Sequence, residues 1–412
     1  MTSPARADDR ASTGDRGSTG DVGSTGDVGR ADDLSLAELR ARGGLKWTLF
    51  PDAIGAFVAE GDHGTAPAVT RALHGAVDAG ALGYLTPARQ RAMAEACAAW
   101  TASRYGWEVP PERVRPLGDV LAGLQAAVEH FSRPGSAVIV PTPAYMPFLT
   151  LPRALGREHV ELPMARDGDR WVYDLDALDA VLAAGAGLLV LCNPHNPVGR
   201  VLERAEMTAI SEVVERHGAR VFSDEIHAPL VYAGHRHVPY ASTSEAAARH
   251  TVTATSASKA WNLPGLKCAQ LLLSSDADAE RWEEAGALLE HGASTPGVLA
   301  ATAAYAEGGA WLDEVLAHLE GIRDLLADLV AEHLPGVVMA PVEGTYLALL
   351  DCHALDLGPA PAAFFRERAG VALTDGAACG RAAEGSVRLT FAMPRPLLER
   401  AVRQMGEAVR RR

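Results

Sequence analysis

The chain is poor in the features that mark several large protein classes. Its five cysteines (Cys97, Cys192, Cys268, Cys352, Cys379) are odd in number and none lies in a C-x-x-C pair. That argues against a disulfide framework or a zinc knuckle and points to a reducing, cytoplasmic setting. Long apolar runs are missing too. The longest near-apolar stretch, Ala180 to Cys192, is 13 residues with two glycines, and roughly 18 are needed to cross a bilayer. The N-terminus leads from Met1-Thr2-Ser3-Pro4 into Asp, Gly and Ser without the apolar segment of a secretory signal. Positive charge is in deficit: 38 Lys and Arg against 52 Asp and Glu give a net charge of −14. A nucleic-acid partner needs a basic face to displace counterions, so this balance excludes that class. What remains is ordinary globular composition, 48% hydrophobic and 22% charged over 412 residues, enough for more than one domain.

Residues 1–33 differ from the rest. Ser12-Thr13-Gly14-Asp15-Arg16-Gly17 recurs, with Val for Arg, at 18–23 and 24–29. A period of six with almost no apolar side chains cannot offset its ordering entropy, so a disordered low-complexity tail is expected. From Leu34 onward helical and strand patterns alternate. Thr86–Gly106 reads as an amphipathic helix opened by Thr-Pro and stopped by Gly. Ser136–Val140, Leu188–Cys192, Arg220–Phe222, Thr251–Thr255 and Ala269–Leu273 read as short buried strands. The alternation predicts an α/β fold with a mostly parallel sheet, whose ligands sit beyond the carboxyl ends of the strands. After about residue 285 the texture changes to helical repeats (Gly297–Leu334), short strands (Thr345–Leu350, Val387–Phe391) and a closing helix from Arg395 that carries Leu397, Leu398, Ala401, Val402, Met405 and Val409 on one face. The expected division is a segment 34–75 that joins the smaller domain and borders the site entrance, a large domain 76–285, and a small α+β domain 286–412.

Three polar loops follow predicted strands. Ser256-Ala257-Ser258-Lys259 offers a lysine at a strand end in an apolar frame, suited to a lowered pKa and Schiff-base chemistry. Asn193-Pro194-His195-Asn196 aims an amide from a rigid turn, and Ser223-Asp224-Glu225-Ile226-His227 puts a carboxylate where only a cation would compensate its burial. Asn196 and Asp224 are 28 residues apart and Asp224 and Lys259 are 35 apart, each about one strand-helix-strand step, so the three can converge. An aldehyde suits Lys259, a protonated pyridine nitrogen suits Asp224 and a phenolic oxygen suits Asn196. Together these needs describe pyridoxal 5'-phosphate.

With these motifs in order, the chain resembles a fold-type I pyridoxal-phosphate enzyme of the class I/II aminotransferase superfamily, nearest to the cystathionine β-lyase (cysteine-S-conjugate β-lyase, MalY/PatB type) subgroup. The likeness extends from Leu45-Lys46-Trp47 to the C-terminus and includes Gly83-Tyr84, Arg104-Tyr105-Gly106-Trp107, Asn193–Arg200, Ser223–His227, Ser256–Gly265, Glu343-Gly344-Thr345-Tyr346 and Val387-Arg388-Leu389. The resemblance implies the aspartate-aminotransferase-like fold and a set of roles. Lys259 holds the cofactor as a Schiff base and then removes the substrate Cα proton. Asp224 keeps the ring nitrogen protonated, Asn196 and His227 contact the ring oxygen, and Tyr145 stacks on the ring. Gly118, Asp119 and Val120, opening a helix, present backbone N–H groups to the phosphate, with Ser256 and Lys267 completing the cup. Tyr84 reaches in from a neighbouring subunit, implying a homodimer, and Arg388 takes the substrate α-carboxylate as a guanidinium fork.

The chain departs from that family at the substrate entrance. Ala59-Glu60-Gly61-Asp62-His63 stands where the family usually has Ala-Asp-Met-Asp-Phe, Ala260-Trp261 replaces Thr-Phe, and Thr390 replaces Asn. Asp62, His63 and Trp261 are therefore expected to line an altered substrate wall. The expected reaction is β-elimination from an S-substituted cysteine, cystathionine-like or bulkier, in specialised metabolism such as antibiotic biosynthesis. Aminotransfer and oxidative decarboxylation with deamination are the alternatives. Two other readings carry less weight. Ser256-x-x-Lys259 fits an acyl-serine motif, but the chain has no K-T-G companion. A non-catalytic sensor on this fold would need a DNA-binding appendage. His227, His235 and His237 are spaced as in a solvated loop rather than a metal centre.

Overall fold

The computed structural model describes residues 28–412; the hexad repeat up to Asp27 lies outside the described residues. Residues 28–33, assigned above to the tail, form a short 3-10 helix with Val28 and Ala31 buried. Asp32 Oδ1 accepts from the Arg395 backbone N–H at 2.9 Å, which ties this turn to the start of the last helix.

Seven strands form the main sheet: β1 (Val114–Leu117), β2 (Val138–Thr142), β3 (His159–Pro163), β4 (Leu188–Cys192), β5 (Arg220–Asp224), β6 (Thr251–Thr255) and β7 (Ala269–Leu273), in the spatial order β1-β7-β6-β5-β4-β2-β3. All pairings are parallel except those of β7, which runs antiparallel to both β6 and β1. Strands β2, β4 and β7 are buried along their whole length, the continuous apolar run expected of a sheet covered on both faces. Two differences from the sequence reading matter. Strand β2 starts two residues later and passes through Pro141, which is tolerated because β2 pairs with β4 only at Val138 and Ile139. Strand β5 runs on to Asp224, so that carboxylate ends the strand itself.

The reversed β7 decides what gathers at one edge of the sheet. The carboxyl ends of β1, β2, β4, β5 and β6 all lie there. Because β7 is antiparallel, its start lies there as well, with Ala269 opposite Leu117, and so brings Lys267 to the same edge.

The helix read as Thr86–Gly106 is Pro87–Tyr105, with the Thr86 hydroxyl capping its N-terminus and Gly106 at φ 68° closing it. In the C-terminal part, Thr295–Glu307 and Gly309–His333 are two helices interrupted at Gly308. Strands Val338–Met339, Leu347–Asp351, Thr374–Asp375 and Ser386–Thr390 make an antiparallel sheet. The closing helix, Arg395–Arg410, buries Leu397, Leu398, Ala401, Val402 and Met405 along one face and packs on Gly309–His333. Near the N-terminus, Ile54–Gly55 pairs in parallel with Val371–Ala372. From there residues 57–59 cross to the edge of the main sheet.

Candidate active site

A cavity of about 580 Å³ opens at that edge. Of the residues singled out above, Lys259, Asp224, Asn196, His227, Tyr145, Ser256, Lys267, Gly118, Asp119, Val120 and Arg388 all line it. They come from loops after five strands, from the start of β7 and from the second sheet.

Asp224 is buried, and among the described residues its side chain accepts a hydrogen bond only from the Ile226 N–H, at 3.0 Å. Burial pushes its pKa up to about 7, with neighbouring Glu225 adding to the rise and Lys259 opposing it. This is a carboxylate set in an apolar floor and in want of a cation. Lys259 is pulled the other way, down to about 8, by burial first and then by the positive charge of Arg388. Its Nζ donates to the Ala59 carbonyl at 2.9 Å, an oxygen that also accepts from the Tyr346 hydroxyl at 3.1 Å.

His227 is held neutral, its pKa lowered to about 3 by burial and then by Lys259 and Arg388. Its buried Nδ1 has no partner. Asn196 Oδ1 accepts from Arg388 Nη1 at 3.3 Å, which leaves the amide N–H groups as donors to the cavity. Arg388 sits on Ser386–Thr390, its Nη2 donating to Phe57 O at 2.8 Å and Thr374 Oγ1 at 3.2 Å, while its buried Nε has no partner. Tyr145 meets Phe148 edge-on at 5.4 Å between centroids.

At the far end, Asp119 caps the helix Val120–Ala126 through Ala122 N–H and pairs with Lys267 Nζ at 3.0 Å. The Ser256 hydroxyl donates to Cys268 O at 2.7 Å and accepts from Ser258 N–H at 3.0 Å.

These donor and acceptor sets fit pyridoxal phosphate. Asp224 lacks the cation that a protonated pyridine nitrogen supplies, Asn196 has spare amide donors for a phenolic oxygen, Lys259 is a nucleophilic amine, and a loop-to-helix turn with Lys267 nearby suits an anion.

Three expected wall residues are not at the cavity. Asp62 is buried behind it, accepting from Lys46 Nζ at 2.8 Å and Trp47 Nε1 at 2.8 Å. His63 is buried against Trp311 at 5.7 Å between centroids. Trp261 is fully buried between Trp100 and Tyr305 and donates from Nε1 to Gly308 O at 3.1 Å. They are neighbours in sequence of the residues that do line it, but their side chains point into the core, where apolar packing holds all three and hydrogen bonds also hold Asp62 and Trp261, while the buried His63 Nε2 has no partner. Tyr84 also lies away from this cavity, 93% exposed. His237 pairs with Glu225 Oε2 at 2.9 Å. Sequence reasoning missed Phe50, Phe57, Val58, Met146 and Leu373, all of which line the cavity; no local pattern marks them, because their role comes only from where residues 49–59, the start of helix Met146–Ala154 and the segment before Thr374–Asp375 meet in the assembled molecule.

The model of the family described as aminotransferase class I and II matches residues 53–405, and the chain belongs to that family. It is 40% identical to the cystathionine β-lyase of Corynebacterium glutamicum over 91% of this chain and 99% of that protein. Among solved structures it resembles a protein of Corynebacterium diphtheriae, provisionally assigned as a PLP-dependent β-cystathionase, with TM-score 0.87 and 39% identity over 92% of this chain and 98% of that one. It also resembles cystalysin of Treponema denticola, which contains pyridoxal 5'-phosphate, with TM-score 0.84 and 25% identity over 92% and 98% of the two chains.

Proposed function

We propose that the protein is a pyridoxal-phosphate-dependent carbon–sulfur β-lyase that cleaves an S-substituted cysteine to a thiol, pyruvate and ammonia. The observation that carries the reading is the convergence of Lys259, Asp224, Asn196 and Arg388 on one cavity, together with relatives named as lyases of this kind. When bound, pyridoxal phosphate supplies a ring that accepts the electron pair released at Cα.

The chain's own residues do the rest. The Asp224 carboxylate holds the proton on the ring nitrogen, which keeps the ring electron-poor. Asn196 donates to the phenolic oxygen, with neutral His227 beside it. Gly118, Asp119, Val120, Ser256 and Lys267 hold the phosphate, and Tyr145 packs on the ring. Arg388 orients the substrate through its carboxylate, using the Nε–H that is otherwise unpaired. Lys259, with its amine largely neutral above about pH 8, removes the Cα proton. The Cβ–S bond then breaks, the sulfur leaves with the bonding pair and takes up a proton, and one water is consumed as the remaining three-carbon fragment yields pyruvate and ammonium. We further propose a homodimer in which Tyr84 of each subunit reaches the other's site, and a cytoplasmic role in specialised metabolism.

The test is direct. Cofactor-loaded protein is incubated in air with S-methylcysteine or cystathionine beside a Lys259→Ala control, and the products are identified by mass spectrometry. Pyruvate and free thiol in equal amounts, absent from the control, are expected. An amino-group transfer product without thiol, or carbon dioxide with oxygen consumption, would replace the β-lyase reading with aminotransfer or oxidative decarboxylation.

A further inference from the structure

Residues 57–59 bridge the two groups that would fix a substrate. The Phe57 carbonyl accepts from Arg388 Nη2 at 2.8 Å, and the Ala59 carbonyl accepts from Lys259 Nζ at 2.9 Å. A substrate whose carboxylate sits at Arg388 and whose Cα lies within reach of Lys259 therefore lies along this segment, and the group on its sulfur must pass beside it. That side of the cavity is apolar: Leu49, Phe50, Phe57, Val58, Met146 and Leu373 line it. Phe50 and Phe57 meet edge-to-face at 5.2 Å between centroids, an arrangement that holds both rings in place.

Among the described residues, the cavity has no cation to spare for this wall. Its cations among those residues are Lys259, Lys267 and Arg388. Lys259 and Arg388 are committed to the amino-acid end, and Lys267 is paired with Asp119. Among the residues of one subunit, a second amino-carboxylate, such as cystathionine carries beyond its sulfur, would meet hydrocarbon and lose hydration without a partner. One cation is near. Arg366 lies over the Phe50 ring, 5.3 Å from its centroid, but it does not line the cavity and its side chain is 45% exposed.

Resting on the β-lyase reading, we propose that the natural substrate is a cysteine whose sulfur carries an uncharged apolar group, alkyl or aromatic. Phe50, Phe57 and Val58 select it. The product thiol is then apolar, so the class of reaction that supplies this substrate is the attachment of a hydrophobic group to a cysteine sulfur.

The experiment compares kcat/KM of the cofactor-loaded enzyme for S-benzylcysteine, S-methylcysteine and cystathionine, with pyruvate as the readout. S-benzylcysteine is expected to exceed cystathionine by about tenfold or more. In Phe50→Ser, and separately in Phe57→Ser, the ratio of S-benzylcysteine to S-methylcysteine is expected to fall by about tenfold. Because the ratio is taken within one variant, a general loss of folded enzyme cancels. Cystathionine equal to or better than S-benzylcysteine overturns the proposal while its pyruvate keeps the β-lyase reading. Loss of cystathionine turnover confined to Arg366→Gln also overturns it, since the distal carboxylate would then be read at that arginine. No pyruvate from any of the three, with the cofactor bound, removes the β-lyase reading and this one with it.

Discussion

Lys46 Nζ lies 2.8 Å from Asp62 Oδ2, with only 1% and 8% of the two side chains exposed. The same ammonium donates to Glu60 O at 3.2 Å and Ala392 O at 2.9 Å, so the pair clamps residues 60–62, just past the strip that lines the cavity, to the turn that follows the strand Ser386–Thr390. Removing the carboxylate leaves a buried cation uncompensated. Asp62→Ala is expected to cost about 3–5 kcal/mol of unfolding free energy, measured by urea denaturation. A cost below about 1 kcal/mol would mean that the pair does not act as a buried clamp.

Asp224 gives a pH signature in the cofactor-free protein. Its carboxyl is raised from an ordinary 3.8 to about 7. Between those values the folded chain keeps a proton that the unfolded chain has released, so stability from this group is lost as pH climbs from about 4 to about 7. Asp224→Asn carries no such proton and is expected to gain on the wild type across that window. Parallel urea midpoints of the two proteins at several pH values would settle it; a constant difference would argue against a buried, unpaired carboxyl.

Lys259 predicts how fast the cofactor is captured. Only the neutral amine attacks an aldehyde, and burial beside Arg388 lowers its pKa from 10.5 to about 8. The rate of reconstitution with pyridoxal phosphate, followed by absorbance, is expected to rise with pH and level off above about 8. A rate still climbing towards pH 10 would mean an unperturbed lysine.

Arg388 is the expected anchor for the substrate carboxylate. Arg388→Lys keeps the charge and loses the fork, so kcat/KM is expected to fall by about 30-fold or more, chiefly through KM. An unchanged KM would place the carboxylate elsewhere.

Tyr84 tests the subunit arrangement. Tyr84→Ala and Lys259→Ala are each expected to be impaired, and mixing the two with subunit exchange should restore part of the activity. A hybrid dimer would contain one site with both residues intact. Mixtures no more active than their average would mean that Tyr84 does not reach a neighbour's cavity.

Much of the fold was legible because it rests on local signals. Thr86-Pro87 and Gly106 bound their helix at the positions read from sequence, and the buried strands Leu188–Cys192, Thr251–Thr255 and Ala269–Leu273 match residue for residue. Strands Val114–Leu117 and His159–Pro163 were missed. Both are edge strands of the sheet, one interrupted by Pro116 and the other mostly half-buried, so neither shows the continuous apolar run that marked the inner ones.

Residue types and spacing alone determined which groups could serve the cofactor, since a strand-end Lys, Asp and Asn at one-unit intervals must meet at one edge of a parallel sheet. They could not determine which side of a residue faces that edge. Lys259 and Trp261 are two positions apart, yet one side chain enters the cavity and the other fills the core between Trp100 and Tyr305. Likewise Phe57 and Val58 line the site while Asp62 turns inward to Lys46. Those directions follow from contacts between segments more than a hundred residues apart, such as Phe57 O with Arg388 and Gly61 N–H with Asn262 Oδ1. Only the assembled tertiary structure, which must bury the apolar area and pair the buried polar groups at once, decides them.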